Sequence, residues 1–157
     1  MMDVRTLRQP KLDVRPAGAK GRGVFALAPI PGGARILALG GRLLHTAALT
    51  DDLVALQLGA DLWLCSDGSL LDDLINHSCA PNAGFLTGEP VLFALRDIAA
   101  DEEICWDYST SISEPGWSLA CRCESPACRT VVRPWGELTA GDRKRLRGHA
   151  LQYLRHQ

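Results

Sequence analysis

Three of the six cysteines lie close together in the sequence and could bind a metal ion. Cys121, Cys123 and Cys128 fall within eight residues, and these three thiolates are one short of the four sulfur ligands that structural zinc often takes. The first ten residues contain no apolar signal core, so the cytoplasm is the expected location, where cysteines favour thiol or metal-bound forms over disulfides. A metal site is therefore preferred, and a redox disulfide or inert thiols are the alternatives.

Three further segments carry groups that could bind a ligand: residues 20–25 (KGRGVF), 76–82 (NHSCAPN) and 101–108 (DEEICWDY). The glycines of the first let the backbone approach a ligand, but no third glycine follows as a dinucleotide-binding fingerprint requires. The Asn-His pair of the second can hydrogen-bond a purine or an amino-acid head group. Taken singly, the segments indicate only a tight turn, a loop and an edge strand.

In this order, the segments resemble the SET-domain protein lysine methyltransferases with a post-SET zinc motif. The resemblance rests on GxG, NHSCxPN, EExxxDY and Cys-x-Cys-xxxx-Cys and runs from about Lys11 to Arg129. It implies a mostly β SET-domain (β-clip) fold of several short-stranded sheets with a pseudoknot-like threading, a zinc-binding post-SET segment and a C-terminal helix. The implied activity is methyl transfer from S-adenosylmethionine to the ε-amine of lysine in a protein. The arginine-rich composition favours a small bacterial member.

The family's roles can be assigned to single positions of this chain. The implied cofactor-binding residues are Lys20, Gly21, Arg22, Gly23, Asn76 and His77. Tyr108 matches the active-site tyrosine, whose hydroxyl lies beside the transferred methyl group. Trp106 stands where the family tunes the number of methyl groups added. Trp106 and Phe85 are assigned to the substrate channel, with core packing as the alternative for both.

The resemblance also completes the metal site, because the family's NHSC cysteine joins the three cysteines of the post-SET motif. The implied ligands of one structural zinc ion are Cys79, Cys121, Cys123 and Cys128. Such a site would hold the tail over the cofactor and beside the lysine channel. Cys65 and Cys105 are expected to pack as small apolar side chains.

Three positions depart from the family pattern. Leu39 and Arg42, in a predicted strand at 36–44, replace the family's Tyr and Glu, and Asp73 stands where an Arg commonly precedes the Asn-His pair. The aromatic channel is therefore thinner than usual, and residues 45–60 are short for the insert that selects the peptide. We expect weak sequence selectivity. A catalytically silent module that binds S-adenosylmethionine or a peptide is the alternative function.

Short strands must position these residues, because glycine and proline recur every eight to twelve positions through the first hundred residues. Strands are predicted at residues 22–28, 34–39, 53–58, 61–65, 82–86 and 90–96, with a helical turn at 70–75. The polar residues 109–118 predict a boundary, and a helix is predicted from Thr139 onward with Asp142 as its capping partner. The expected units are a SET domain at 10–109, a post-SET zinc segment at 117–135 and a basic C-terminal helix at 137–157.

The composition and net charge limit the classes of molecule that the chain is expected to bind. With 46% hydrophobic and 22% charged residues and a net charge of −1, the chain is globular and not built for wholesale phosphate binding. Residues 129–157 carry seven basic and two acidic residues, a net +5 that leaves −6 elsewhere. A solvated helix face is preferred, and a zinc-stabilised nucleic-acid binder is a further alternative. The expected partner is a lysine-bearing protein or peptide, such as a histone-like, ribosomal or other basic tail, with no membrane or nucleic acid. Delivery to a host cell or nucleus is left open.

Overall fold

The computed structural model describes residues 10–157, which form short strands and one short α-helix. The prediction about a signal core was made from the first ten residues, and nine of these lie outside the described residues. The strands are β1 Leu12–Pro16, β2 Arg22–Ala26, β3 Arg35–Ala38, β4 Arg42–Leu44, β5 Val54–Gly59, β6 Leu62–Ser66, β7 Asn76–His77, β8 Ala83–Gly84, β9 Val91–Ala94, β10 Glu103–Trp106, β11 Leu119–Ala120 and β12 Val131–Val132. The helix α1 is Ala140–Leu146. Single 3₁₀ turns connect many of these elements.

The sheet that carries the candidate site has the order β1-β2-β10-β7. β2 pairs antiparallel with β1 and with β10, and β7 pairs parallel with β10, placing Asn76 opposite Cys105 and His77 opposite Trp106. The prediction of an edge strand at residues 101–108 is wrong, because β10 lies between β2 and β7. This sheet therefore brings together the three segments that the sequence predicts to bind a ligand.

Three smaller sheets complete the β structure, with the orders β3-β9-β8, β4-β6-β5 and β11-β12. The predicted strand at 36–44 is wrong, because it is two strands in different sheets. The chain turns between them at Gly41, whose φ of 132° favours glycine and where a Cβ atom would lie 2.6 Å from the carbonyl oxygen of Cys65. The predicted turn at 70–75 is a 3₁₀ turn, Leu71–Leu74.

The main core packs between these sheets. It includes Val24 and Ile104 from the central sheet, Ile36 and Leu92 from the β3-β9-β8 sheet, and Phe85, all fully or almost fully buried. Cys65 and Cys105 are also buried, with 1% and 6% of their surfaces exposed, as predicted for small apolar side chains. Burial raises the pKa of Cys105 to about 12, so its thiol is protonated and inert near neutral pH.

The C-terminal helix is shorter than the helix predicted from Thr139 onward. Thr139 does cap α1, accepting a hydrogen bond from the Asp142 N–H at 3.1 Å, but the helix ends at Leu146. Ala150 and Leu151 are extended between two 3₁₀ turns. The apolar side chains of this segment are nevertheless buried, because they pack on Trp135 in a second cluster rather than along one helix face. The division into three units stays a prediction.

The basic residues of this segment are not all solvated. Arg155 donates to the carbonyl oxygens of Phe85 at 2.6 Å and Leu86 at 3.1 Å, so it holds the tail to the main core. Lys144, Arg145 and Arg147 are exposed. Within residues 10–157, no helical segment has the length and apolar character needed to cross a membrane.

Candidate active site

Two cavities meet at Tyr108. The first, which we call the polar cavity, has a volume of about 360 Å³. It is lined by Ala19, Lys20, Asn76, His77, Tyr108 and residues 119–122. The second, the apolar cavity, has a volume of about 200 Å³ and includes Leu39, Leu56, Leu64, Asp72, Asp73, Ile75, Trp106, Tyr108, Ile112 and Trp117 in its lining. Tyr108 lines both, so a group bound in one cavity can meet a group bound in the other beside this side chain.

Tyr108 is held in a single orientation. Its hydroxyl donates to the carbonyl oxygen of Ile75 at 2.7 Å, and its backbone N–H donates to Nδ1 of His77 at 3.1 Å. Its ring lies 4.8 Å from the ring of Trp106, centroid to centroid. Burial raises the pKa of Tyr108 above its ordinary value, so the phenol stays protonated and its oxygen keeps a lone pair for a further contact.

His77 is buried, and both of its ring nitrogens have protein neighbours. Nδ1 accepts from Tyr108, so in the neutral ring Nε2 carries the proton, and it lies 3.3 Å from the sulfur of Cys79. Burial lowers the pKa of His77 to about 4, opposed by the nearby Asp107 carboxylate, so the ring is neutral near pH 7. His77 therefore has no unoccupied ring nitrogen to offer a ligand, and only its backbone and ring edge can make the predicted cofactor contact.

Among the hydrogen bonds of residues 10–157, the Asn76 side chain uses Nδ2 but not Oδ1. Its Nδ2 donates to the Arg22 carbonyl oxygen and to Oε1 of Glu103, both at 2.8 Å. Glu103 also receives the ammonium group of Lys20 on Oε2. The Lys20 and Asn76 side chains that line the polar cavity are thus joined behind it by one carboxylate.

The glycine loop at residues 21–23 supports the cavity without lining it. Gly21 has a φ of 84°, which favours glycine. A Cβ atom at Gly23 would collide with Oε1 of Glu103 and lie 3.0 Å from Nδ2 of Asn76. Arg22 contributes its backbone carbonyl, whereas its side chain is exposed. Of the predicted loop, only Lys20 reaches the cavity surface.

The two residues assigned to the substrate channel have different positions. Trp106 lines the apolar cavity, with 7% of its surface exposed. Phe85 lines neither cavity: it is fully buried and packs edge-on against Trp106 with 5.0 Å between ring centroids. The assignment of Phe85 to the channel wall is therefore wrong, and the core-packing alternative holds, because Trp106 stands between Phe85 and the cavity.

Four cysteines converge next to the polar cavity. Their sulfur atoms all lie within 4.8 Å of one another, in a cluster that we call the sulfur cluster: Cys79, Cys121, Cys123 and Cys128. The sulfurs of Cys79 and Cys121 are 3.7 Å apart, and four sulfurs at about 2.3 Å from one zinc ion would be about 3.8 Å apart. Burial raises the pKa of Cys79 and that of Cys121, whereas backbone N–H groups lower the pKa of Cys123 against the same burial. The donor set therefore fits a tetrahedral metal ion.

Donors around the sulfur cluster complete this environment. Besides the His77 ring, the backbone N–H of Arg129 donates to the Cys79 sulfur at 3.3 Å, and that of Thr130 donates to the Cys128 sulfur at 3.4 Å. Such contacts orient and stabilise metal-bound thiolates. The cluster thus connects residues 121–128 to the strand that carries Asn76 and His77.

An ion pair makes a second connection between tail and sheet. The guanidinium group of Arg129 binds both oxygens of Asp107, at 2.7 and 2.8 Å, and the Asp107 side chain is fully buried. Burial opposes the charge on Arg129, but the Asp107 carboxylate raises the pKa of Arg129. Asp107 also accepts the Ser109 N–H at 3.0 Å. Arg129 therefore anchors the segment that follows Tyr108.

Two of the three positions that depart from the family pattern, Leu39 and Asp73, line the apolar cavity. Leu39 lines it, whereas Arg42 on β4 does not. Asp73 accepts hydrogen bonds from the Ser66 hydroxyl at 2.7 Å and the Leu70 N–H at 2.9 Å, so it holds the 3₁₀ turn before Asn76. Asp72 accepts the Gly40 N–H at 2.9 Å, and burial raises the pKa of Asp72. Two carboxylates therefore belong to the lining of an otherwise mainly apolar space.

Sequence reasoning missed Glu103 and most of the tail wall of the polar cavity. Glu103 is the last of three consecutive acidic residues, and only pairing of β10 with both β2 and β7 reveals which of them faces Lys20 and Asn76. Leu119, Ala120 and Arg122 line the cavity from the tail. Their proximity to the predicted ligands Cys121 and Cys123 was the signal that could have identified them.

Comparisons with a family model and with known proteins agree on one family. A family model described as "SET domain" matches residues 21–109. Histone-lysine N-methyltransferase ash1 of Drosophila melanogaster is 32% identical over 130 residues, covering 72% of this chain and 6% of ash1. Histone H3-lysine(4) N-trimethyltransferase ATX1 of Arabidopsis thaliana is 30% identical over 149 residues, covering 82% of this chain and 14% of ATX1. The chain thus spans a small part of these relatives.

Solved structures agree in fold. A KRYPTONITE structure in complex with mCHG DNA and SAH superposes with a TM-score of 0.63 at 25% identity, covering 79% of this chain and 29% of that chain. Another, with mCHH DNA, an H3(1–15) peptide and SAH, gives a TM-score of 0.62 at 26% identity, covering 80% and 30%. SAH, S-adenosylhomocysteine, is what S-adenosylmethionine becomes when it gives up its methyl group.

Proposed function

Because the chain belongs to the SET-domain family, we propose that it transfers a methyl group from S-adenosylmethionine to the ε-amine of a lysine side chain in a protein. The observation that carries the proposal is the position of Tyr108 in the lining of both cavities. A nucleoside of the size of S-adenosylmethionine fits the polar cavity, and an extended lysine side chain fits the smaller apolar one. Their reacting ends would then meet beside the phenol oxygen.

The reaction needs positioning more than covalent help from the protein. When bound, S-adenosylmethionine supplies a methyl group on a positively charged sulfur. The lysine nitrogen forms the new N–C bond as the S–C bond breaks, and the amine first loses its proton to solvent. The Tyr108 oxygen can accept a weak C–H···O contact from the methyl group. The Trp106 and Tyr108 rings favour an alkylammonium product, and exclusion of water by the apolar lining lowers the pKa of the entering lysine.

Charge around the apolar cavity favours a basic peptide. Residues 43–95 contain seven acidic residues and no lysine or arginine. The whole β4-β6-β5 sheet except Arg42 comes from this stretch, and Asp72 and Asp73 line the cavity itself. A carboxylate-rich surface attracts and orients cationic segments. We therefore propose lysines within basic tails as substrates, histone H3-like tails included, and the cytoplasm stays the predicted location.

Zinc is the ion that we propose for the sulfur cluster. Four thiolates with tetrahedral spacing are a common ligand set of structural zinc. Cys79 lies two residues after the end of β7, and Cys121 belongs to the tail wall of the polar cavity. One ion at the sulfur cluster would therefore hold both walls of the polar cavity at a fixed separation.

A comparison of the only two tyrosines tests the methyl transfer. With labelled S-adenosylmethionine and an H3-derived lysine peptide, Tyr108→Phe is expected to lower kcat by roughly 100-fold, the cost of losing one preorganised polar group in an active site. Tyr153→Phe is the matched control, because Tyr153 lines neither cavity and its hydroxyl donates to the backbone carbonyl of Ser111, in the wall of the apolar cavity. Equal activity of wild type and Tyr108→Phe would refute the role of the phenol.

Calorimetry and methyl labelling together distinguish the enzyme from a module that only binds. The binding-module alternative predicts that wild-type protein binds S-adenosylhomocysteine in a calorimeter but labels no lysine in any protein of a cell lysate. Labelling of lysine by wild-type protein excludes it. Weak labelling that increases with basic residues around the lysine supports the charge argument for the substrate.

A further inference from the structure

Glu103 is a partly buried carboxylate that joins three elements behind the polar cavity. It lies on β10 between β2 and β7, and 16% of its side chain is exposed. Oε1 accepts from Nδ2 of Asn76 at 2.8 Å, and Oε2 accepts from the ammonium group of Lys20. Glu103 does not line the cavity, so these two side chains, rather than direct contact, connect it to a ligand there.

The hydrogen bonds of Asn76 fix which way its amide points. Both hydrogens of Nδ2 are used, one by the Glu103 carboxylate and one by the Arg22 carbonyl oxygen. Neither partner can donate, so the opposite amide orientation would place Oδ1 against two acceptors. Oδ1 has no hydrogen-bond partner within residues 10–157. Asn76 can therefore present only an acceptor to a ligand in the polar cavity.

We infer that Glu103 is a positioning residue that orients Asn76 so that Oδ1 accepts a hydrogen bond from the α-ammonium group of the methyl donor. The inference rests on the proposed function, which supplies a ligand with an amino-acid head group. Lys20, held on the other carboxylate oxygen, places a cation in the lining of the same cavity. An acceptor and a cation side by side complement the ammonium and carboxylate groups of that head group.

The second glycine of the loop fits this role. A Cβ atom at Gly23 would collide with Oε1 of Glu103 and press on Nδ2 of Asn76 and on the Ala17 side chain. Gly23 is therefore required by the contact between the loop and the Glu103–Asn76 pair, rather than by direct approach to a ligand. Any larger residue would displace the carboxylate from the amide.

Two ligands separate a positioning role from a purely structural one. S-adenosylhomocysteine carries the amino-acid head group, whereas 5′-methylthioadenosine is the same thionucleoside without it. In Glu103→Gln the new amide can place its own N–H groups against Nδ2 of Asn76, which releases the Asn76 amide. We expect calorimetry to give a Kd for S-adenosylhomocysteine about tenfold higher, the order of one hydrogen bond to a charged group, and a less than about twofold change for 5′-methylthioadenosine.

Matched variants make the result specific. Glu102→Gln is the same chemical change at the neighbouring carboxylate, which pairs with Arg96 at 2.5 Å and Asn82 at 3.1 Å away from the cavity, and it should leave both Kd values unchanged. In an Asn76→Ala background, Glu103→Gln should weaken the binding of S-adenosylhomocysteine less than it does in the wild-type background, because the part of its effect that passes through Asn76 is then absent.

Three results would overturn the inference. Equal weakening of both ligands would mean that Glu103 only supports the fold, and an unchanged Kd for S-adenosylhomocysteine would mean that it does not orient Asn76. Full additivity with Asn76→Ala would mean that it acts by another route. Failure of the wild-type protein to bind S-adenosylhomocysteine would instead refute the proposed function on which the inference rests.

Discussion

The polar cavity has two walls that are held by different interactions. Asn76 and His77 lie on β7, whose partner β10 sits in a four-stranded sheet over a buried core that includes Val24 and Ile104. Opposite them, residues 119–122 begin with β11, which forms a two-stranded ladder of two residues each with β12, and Leu119, Ala120 and Arg122 are exposed. Backbone pairing and apolar packing hold the first wall, whereas the sulfur cluster and the Arg129–Asp107 ion pair hold the second.

The difference indicates which wall can move. Burial of apolar surface stabilises a sheet through many small contacts, so the loss of one contact is tolerated. A segment with little buried surface depends on a few strong links, and removal of one link releases it. We therefore expect the tail wall to respond to metal and to single charge changes, and the sheet wall to respond to neither.

Loss of one metal ligand should have the largest effect of the changes considered, and the structural loosening that it causes should be confined to the tail. Cys123→Ser is expected to reduce bound zinc from one ion per chain to none in native mass spectrometry, because three thiolates bind structural zinc much more weakly. Amide hydrogen exchange should accelerate in residues 117–133 and stay slow in β2 and β10. Cys65→Ser, a buried cysteine outside the sulfur cluster, should keep its zinc. Equal acceleration of amide hydrogen exchange in both walls would refute the claim that the two walls are held by different interactions.

Removal of the Arg129 charge should be the next largest effect. Arg129→Met leaves the fully buried Asp107 carboxylate without its cation, and we expect a loss of about 3–5 kcal/mol in the free energy of unfolding. Urea denaturation measures it. Arg133→Met is the control, because its 3.5 Å pair with Glu137 is half exposed and contributes below about 1 kcal/mol.

A second substitution separates charge from packing at this pair. Asp107→Asn in the Arg129→Met background should recover part of the lost stability, because no buried charge then remains unpaired. If the double variant is no more stable than Arg129→Met, the unpaired charge is not the cause of the loss.

A small change in the sheet wall should give the smallest effect and leave the metal in place. Ile104→Val on β10 removes one methyl group at a fully buried position, for about 1 kcal/mol of stability. The variant should retain one zinc ion per chain and the wild-type exchange rates in the tail. Loss of zinc from this variant would show that the two walls are not independently held.

Much of the local structure was predictable from the sequence. Glycine and proline mark the turns, so the strands predicted at 34–39, 53–58 and 61–65 match β3, β5 and β6 to within a residue or two. The helix after Leu146 was wrongly predicted, because the periodic spacing of Leu146, Ala150 and Leu154 reflects burial against Trp135 and not helical continuity. Packing partners distant in sequence decide such cases.

The site was predicted only in part, because some of its residues are brought together by contacts between positions distant in sequence. Grouping of the four cysteines followed from their spacing and from the family resemblance, and the structure brings them together. Glu103 could not be assigned, because its partners Lys20 and Asn76 lie 83 and 27 residues away and meet it only through strand order. Phe85 was misplaced because an aromatic residue near a channel looks the same in sequence whether it lines the wall or packs behind it.

The affinity for S-adenosylhomocysteine before and after zinc removal tests most directly whether the metal-held tail closes the polar cavity. Protein stripped by a chelator and protein reloaded with zinc are compared by calorimetry, with thermal unfolding to check that the sheet core remains folded. We expect removal to raise the Kd at least about tenfold, through loss of the contacts from residues 119–122, and reloading to restore it. An unchanged Kd in folded, zinc-free protein would contradict the coupling between tail and cavity.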